Sequence, residues 1–289
     1  MNIKIFKRGF NYGQDGTGNR LVLHMQGCNL QCAWCSNPEG LALDGCLLVN
    51  PDKLLAEICP AGAIHSRTLD RNRCKTCSHK ACLHENKNEG LRLSCQTESI
   101  ESLFDEILSA KSLFFGGGGV TFSGGEPTLQ FRALKSLLIL LKNAGIHTAI
   151  ETNATHGRLS DLFPLLDLLI IDFKHYDAEI HKQYTGFSNT VIKANIIKAV
   201  ENHPNVWIRT PLINGFNAEQ RFIPGFIDFF SCLPCENTHF EFLKYHEYGK
   251  VKWEQCGMSY TVVNGEVENG IEEAFKNSFL ENKFKLIMT

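Results

Sequence analysis

LVLHMQGCNLQCAWC, residues 21–35, decides how the chain folds. Its apolar opening, Leu21 to Met25, predicts a strand, which runs straight into Gly27 and three cysteines, Cys28, Cys32 and Cys35. The same arrangement recurs downstream. Val120 to Ser123, His147 to Ile150, Leu168 to Asp172, Val206 to Arg209 and His239 to Leu243 predict further strands. Helical stretches separate them, as in Phe131 to Asn143, where Leu134, Leu137, Leu138 and Leu141 recur at helical spacing. This alternation predicts an α/β fold with a mainly parallel sheet, and six strand-helix units fit a partial barrel.

Polar residues fall just past these runs: Gly27 and Cys28, then Gly124, Gly125 and Glu126, then Glu151, Thr152 and Asn153. Asp172 and Lys174, Arg209 and His246 continue the series. C-terminal strand ends gather around one site in parallel α/β folds, so the pattern predicts a single pocket. Three thiolates on one loop can hold an iron-sulfur cluster, and a cube of four irons then keeps one iron without a protein ligand. Structural zinc wants four ligands, and no paired CxxC or HxxxH supplies a partner at standard spacing. His24 could be a fourth ligand, although a histidine within a strand is more often packed or hydrogen-bonded.

Of 289 residues, 43% are hydrophobic and 21% charged, which excludes a disordered chain. The 29 basic and 31 acidic residues form no basic block, which argues against a nucleic-acid partner. Lys4, Lys7 and Arg8 stand where a signal peptide needs its apolar stretch, and no apolar run approaches the roughly 18 residues of a membrane span. A cytoplasmic protein is expected, and in that reducing compartment its twelve cysteines are metal ligands sooner than disulfides. Six of them fall within residues 46–95, beside turn-like stretches at Cys59 to Gly62 and His84 to Gly90. A segment of about 50 residues has too little core to fold unaided, so 46–95 is expected to be a metal-stapled insertion between core portions 1–45 and 96–289.

CxxxCxxC followed by SGGEP resembles the radical S-adenosylmethionine (SAM) superfamily. Longer strings narrow the resemblance to the glycyl radical enzyme activating enzymes: DGTGNR at Asp15 to Arg20, WCSNPEG at Trp34 to Gly40 and GGGVTFSGGEP at Gly117 to Pro127. IETNA at Ile150 to Ala154, DFKHYD at Asp172 to Asp177, HKQYTGFSN at His181 to Asn189 and IRTPLINGFN at Ile208 to Asn217 extend it. The resemblance implies a partial barrel of six strand-helix units and an anaerobic oxidoreductase. In that family a 4Fe-4S cluster cleaves SAM reductively, and the 5'-deoxyadenosyl radical takes a hydrogen from a backbone glycine of a partner enzyme.

By the same resemblance Trp34, Cys35 and Ser36 line SAM beside the cluster, and Gly124, Gly125 and Glu126 lie near its amino group. Asp172 and Lys174 match a DxK pair whose lysine faces the SAM carboxylate. Arg209 and His246 match basic residues near SAM, and Glu151 with Thr152 takes a position where some relatives hold a monovalent cation. The family usually reads LPYH where this chain has Leu243-Lys244-Tyr245-His246. A glycyl radical enzyme as transient partner, a flavodoxin or ferredoxin as electron donor and a monomeric state complete the expectation.

The insertion resembles a ferredoxin-like segment that normally carries two CxxCxxCxxxC runs. The first is reduced here to Cys59, with only Cys46 upstream, whereas the second keeps Cys74, Cys77 and Cys82, and Cys95 follows later. Cross-ligation lets Cys59 complete the set of Cys74, Cys77 and Cys82; chain order would instead use Cys95. One auxiliary 4Fe-4S cluster is expected, the other lost. Cys232-Leu233-Pro234-Cys235 is a CxxC pair that could be redox-active or bind metal, but it lacks a second pair, so it and Cys256 read sooner as small buried hydrophobes, and Phe226, Phe229 and Phe230 as core. A radical SAM enzyme maturing a small molecule or peptide is the nearest rival, and an electron-carrying ferredoxin-like protein the rival from another class.

Overall fold

The computed structural model describes residues 1–56, 59, 61–77, 82–83 and 88–287. Pro60 of the first turn-like stretch and 84–87 of the second lie outside the described residues. In chain order the strands are β1 (Asn2–Tyr12), β2 (Asn19–Met25), β3 (Leu47–Val49), β4 (Ile64–His65), β5 (Thr68–Leu69), β6 (Leu91–Leu93) and β7 (Gln96–Ser99). They continue as β8 (Gly119–Gly124), β9 (Thr148–Thr152), β10 (Leu168–Asp172), β11 (Val206–Leu212), β12 (Thr238–Lys244) and β13 (Lys285–Leu286). The α-helices are α1 (Arg71–Lys75), α2 (Ile100–Ser109), α3 (Phe131–Asn143), α4 (Ala178–Thr185), α5 (Thr190–Asn202), α6 (Ile223–Ser231), α7 (Lys250–Gln255) and α8 (Ile271–Glu281).

One nine-stranded sheet runs in the order β13-β12-β11-β10-β9-β8-β2-β1-β7. Every pairing from β2 to β13 is parallel, which puts their C-terminal ends on one side of the molecule. β10 shows why. Leu169 and Ile171 pack into the main core, while Leu168 and Ile170 face the other way and join Ala149 and Trp207. A strand buried on both faces needs cover on both, the usual condition of a parallel strand. α3 supplies part of that cover with Phe131, Leu134, Leu137, Leu138 and Leu141, all buried, each stabilising the packed state by about 2 kcal/mol.

β1 was not expected from the sequence. It pairs antiparallel with β2 and β7, with Ile3 and Ile5 fully buried. Its charged residues find local partners, Lys4 with Asp44 and Arg8 with Glu98 and Glu106. β3 with β6 and β4 with β5 form two small sheets apart from the large one. Their core is a separate cluster of Val49, Leu54, Ile64, Cys82 and Leu91. α1, which contributes no residue to that cluster, is capped by the Asp70 carboxylate, which accepts from the amides of Asn72 and Arg73. Among the described residues no helix is long and apolar enough to cross a membrane.

Candidate active site

The ends of β2 and β8 meet backbone to backbone. Gly125 N donates to Met25 O at 2.9 Å and Glu126 N to Gly27 O at 2.7 Å. A Cβ at Gly125 would lie 2.2 Å from Gly27 O, and one at Gly124 (φ +105) 2.7 Å from His24 Cα, so neither position admits a side chain. Glu126 then turns away from the opening. Its fully buried carboxylate accepts from Thr128 N and Oγ1, from Thr152 Oγ1 at 2.7 Å and from Asn153 N at 2.7 Å. Burial raises its pKa against the pull of those donors. Glu126 thus locks the end of β8 to the end of β9 from behind and does not line the cavity in front.

The cysteine loop leaves β2 at Gly27 and is pinned through its backbone. Cys28 N donates to Leu41 O at 2.9 Å, Gln31 N to Thr185 O at 2.8 Å and Cys35 N to Cys32 O at 3.1 Å. Asn153 Nδ2 faces Cys28 Sγ at 3.9 Å and donates to Asn29 Oδ1 at 3.0 Å. From outside, α7 holds the same loop: Trp253 Nε1 donates to Cys35 O at 2.9 Å. Lys252 Nζ donates to Ser36 O at 2.7 Å and Asn37 Oδ1 at 2.8 Å and pairs with Glu39. Neither α7 residue carries a motif that could have revealed this role.

Cys28, Cys32 and Cys35 open onto one cavity of about 240 Å³ at the C-terminal strand ends. Trp34 and Ser36 from the loop, and Gly124 and Gly125 from β8, line it with them. Glu151 and Thr152 of β9, Asp172 at the end of β10 with Lys174 just beyond it, Arg209 of β11 and His246 beyond β12 close the ring. Of the positions expected at the pocket, Gly27 and Glu126 stand outside the lining. Trp34 is seated against Phe216, ring centroids 4.5 Å apart, and His246 stacks on the exposed Tyr248 at the rim.

Charge inside the cavity is paired. Burial works to lower the Lys174 pKa, but the Asp172 carboxylate, whose Oδ2 lies 2.7 Å from Nζ, outweighs it and holds the ammonium charged. Burial pushes the thiols of Cys28, Cys32 and Cys35 each up to about 12, the state expected of ligands that ionise only on a metal. Arg209 is bound by Glu241 through Nε at 2.7 Å and by Glu151 through Nη1, and Ser123 Oγ donates to Glu151 at 2.6 Å. Glu241 was missed from the sequence. A carboxylate at the centre of the apolar run Phe240 to Leu243, opposite Arg209 in register, was the available signal.

The third donor of Arg209, Nη2, reaches Gln14 O at 2.6 Å. Thr121 Oγ1 donates to Asp15 O at 2.7 Å, and Gly16 sits so tightly against Leu168 that a Cβ would lie 2.9 Å from Cδ2. The segment 14–16 is therefore wedged across β8, β10 and β11 as a floor beneath Arg209. Arg20 holds this loop's base, with Nε on Thr121 Oγ1 at 2.6 Å and Nη2 on Val120 O at 2.8 Å.

Cys59, Cys74, Cys77 and Cys82 line a second, small cavity together with Leu47 and Leu83. Cys95 is elsewhere, its Sγ 4.0 Å from Leu43 O and Gln96 O. The structure thus groups the cross-ligation set and separates Cys95 from it. Among the described residues no three His, Cys, Asp or Glu side chains converge as they would around a single metal ion. A four-iron cluster takes its cysteines at separate corners, and three thiols around one cavity, Cys32 buried and Cys28 and Cys35 half-buried, fit such a group.

Comparison with known proteins agrees. Residues 22–222 match the family model of the radical SAM superfamily. The chain is 32% identical to the 4-hydroxyphenylacetate decarboxylase activating enzyme of Clostridioides difficile (strain 630), over 93% of this chain and 90% of the relative. It is 32% identical to the (2S)-3-sulfopropanediol dehydratase activating enzyme of Klebsiella oxytoca, over 88% and 85%. A crystal structure of a domain of pyruvate-formate lyase-activating enzyme from Bacteroides vulgatus ATCC 8482 superposes with a TM-score of 0.50 at 27% identity, covering 60% of this chain and 99% of that one. With cysteines, paired charges and strand ends gathered at one cavity, the chain belongs to the radical SAM superfamily and, within it, to the glycyl radical enzyme activating enzymes.

Proposed function

We propose that Cys28, Cys32 and Cys35 hold a 4Fe-4S cluster and that SAM fills the cavity beside it, at the mouth of a partial (β/α)6 barrel built on β2 and β8 to β12. When bound and reduced, the cluster supplies the electron that splits SAM into methionine and a 5'-deoxyadenosyl radical, which takes a hydrogen atom from one backbone glycine of a partner glycyl radical enzyme. Lys174, oriented by Asp172, presents a fixed positive charge to the SAM carboxylate. The bare backbone of Gly124 and Gly125 admits the amino group, and Trp34 and Ser36 wall the methionine side. Arg209 and His246 stand near SAM. A monovalent cation at Glu151 and Thr152 would share Glu151 with Arg209 and Ser123. Glu126 acts through Thr152 and Asn153, keeping the β9 end in register with the glycines.

Residues 46–95 form, on this reading, a ferredoxin-like insertion between core portions 1–45 and 96–289. Cys59, Cys74, Cys77 and Cys82 hold one auxiliary 4Fe-4S cluster there. A flavodoxin or ferredoxin supplies electrons to a monomer working in an anaerobic cytoplasm. The observation that carries the proposal is the single cavity in which the three cysteines, the glycine pair and the Asp172 to Lys174 pair meet. Relatives named for a decarboxylase and for a dehydratase match at the same 32% identity, so identity alone does not select the partner.

The test is electron paramagnetic resonance on the anaerobically reduced protein with SAM and its cognate partner. A doublet glycyl signal, split by the remaining α-hydrogen and lost when the partner's glycine becomes alanine, is expected. Formation of 5'-deoxyadenosine in step with a modified free metabolite, without a protein radical, would replace this reading with small-molecule chemistry.

A further inference from the structure

We propose that Cys46 and Cys256 are a redox-active pair, the site of a reversible disulfide that ties the cysteine-rich insertion to the end of helix α7. Their sulfurs lie 3.1 Å apart although 210 residues separate them in the chain. A disulfide bond is about 2.05 Å long, so an approach of about 1 Å closes it.

The surroundings are built to hold that approach. Arg71, the first residue of α1, donates through Nη1 to Leu47 O at 2.9 Å and through Nη2 to Gln255 O at 2.7 Å. One rigid guanidinium therefore grips the backbone next to Cys46 and next to Cys256, fixing the distance between them. Gly257 leaves room for it: a Cβ there would lie 2.0 Å from Arg71 Nε, and its φ of +70 also favours glycine. On the other side Cys46 N donates to Ser94 Oγ at 3.0 Å. Two cysteines serving only as small hydrophobes would need none of these polar contacts.

The two sulfurs also differ as reactants. Cys46 is half-buried, whereas Cys256 is buried. The two sulfurs share one hydrogen bond, and with Ser94 and the Arg71 charge this draws the Cys46 pKa down, against its burial. Cys46 is thus the accessible thiolate and Cys256 the resolving thiol. With a small-molecule disulfide as oxidant, the Cys46 thiolate attacks one sulfur, forms a mixed disulfide and releases one thiolate. The Cys256 sulfur, losing its proton, then displaces the second thiolate. One S–S bond is broken and one formed, and two electrons pass from the protein dithiol to the small molecule, which leaves as two thiols.

The cross-link fastens more than its own residues. α7 carries Lys252 and Trp253, which hold the carbonyls of Ser36 and Cys35, so the disulfide anchors the outer support of the cysteine loop to the insertion.

The anaerobically purified, cluster-loaded protein is incubated with oxidised glutathione, quenched with iodoacetamide, digested without reduction and analysed by mass spectrometry, with iron content followed throughout. A peptide pair joining Cys46 to Cys256 is expected to accumulate before any other protein disulfide, at unchanged iron content, and to vanish with dithiothreitol. In Cys256→Ser, Cys46 stops at the glutathione mixed disulfide; in Cys46→Ser, Cys256 is left as the free thiol. Absence of the linked peptide from the wild-type protein, or its appearance only together with loss of iron, overturns the proposal. So does an iron content lower by one cluster in Cys46→Ser, which would make Cys46 a ligand.

Discussion

The indole Nε1 of Trp253 donates a 2.9 Å hydrogen bond to the carbonyl oxygen of Cys35, 218 residues earlier in the chain. Replacing Trp253 by Phe keeps the ring and removes the donor. A hydrogen bond of this kind contributes about 1 kcal/mol, so cleavage of SAM is expected to slow about fivefold if the loop geometry is what suffers. Release of 5'-deoxyadenosine measures it, beside the g-values of the reduced cluster with SAM bound, which a change in fold stability alone would leave in place. An unchanged rate and spectrum would show that the loop holds its shape without α7.

Cys32→Ala removes a sulfur from a loop, not from the apolar core of the sheet. Reductive cleavage of SAM is expected to be lost while far-ultraviolet circular dichroism and the melting transition persist. Retained cleavage would sink the assignment of the three cysteines.

Iron content separates the two possible sets in the insertion. The wild-type protein is expected to carry about eight irons per chain, four for each cubane. Cys77→Ala should lower this to about four, whereas Cys95→Ala should leave it unchanged. A loss of iron in Cys95→Ala would restore the ligand set that follows chain order, and about twelve irons in the wild type would reveal a third cluster.

Stability should fall on mild acidification because of His175. Its ring is fully buried against Phe216 and Phe222, with Nδ1 accepting from Asp177 N at 2.9 Å, and burial draws its pKa down to about 4. Unfolded, the same group titrates at about 6.5. As pH falls from 6.5 toward 4 the unfolded chain gains a proton that the native state refuses, so the loss accrues across that window and is absent above it. Melting temperatures at pH 7 and pH 5 are expected to differ less in His175→Asn, which keeps an acceptor for Asp177 N, than in the wild type.

The parallel strands and α3 were legible because each buries a periodic set of residues: α3 spans Phe131–Asn143 in both readings. β1 was not, since Lys4, Lys7 and Arg8 break its apolar pattern and the partners of Lys4 and Arg8, Asp44, Glu98 and Glu106, come from distant segments. The pocket was legible as polar punctuation after strands, but the roles within it were less so. Glu126 looked like a pocket residue because it follows two glycines, and only the positions of Thr128, Thr152 and Asn153 turn it inward. Cys256 looked inert for the same reason: a lone cysteine near the C-terminal end has no neighbour until α7 brings it to Cys46.

The wedge formed by Gln14 to Gly16 makes the chamber a cul-de-sac, and a cul-de-sac imposes a queue. On the function proposed above, nucleoside, amino acid and partner loop would all enter from the side of the C-terminal strand ends, past His246. The small molecule then has to arrive first, because a docked loop would bar its way. A partner held in large excess should therefore throttle turnover by occupying empty chambers, and each round must end with the loop withdrawing before the spent fragments can be exchanged.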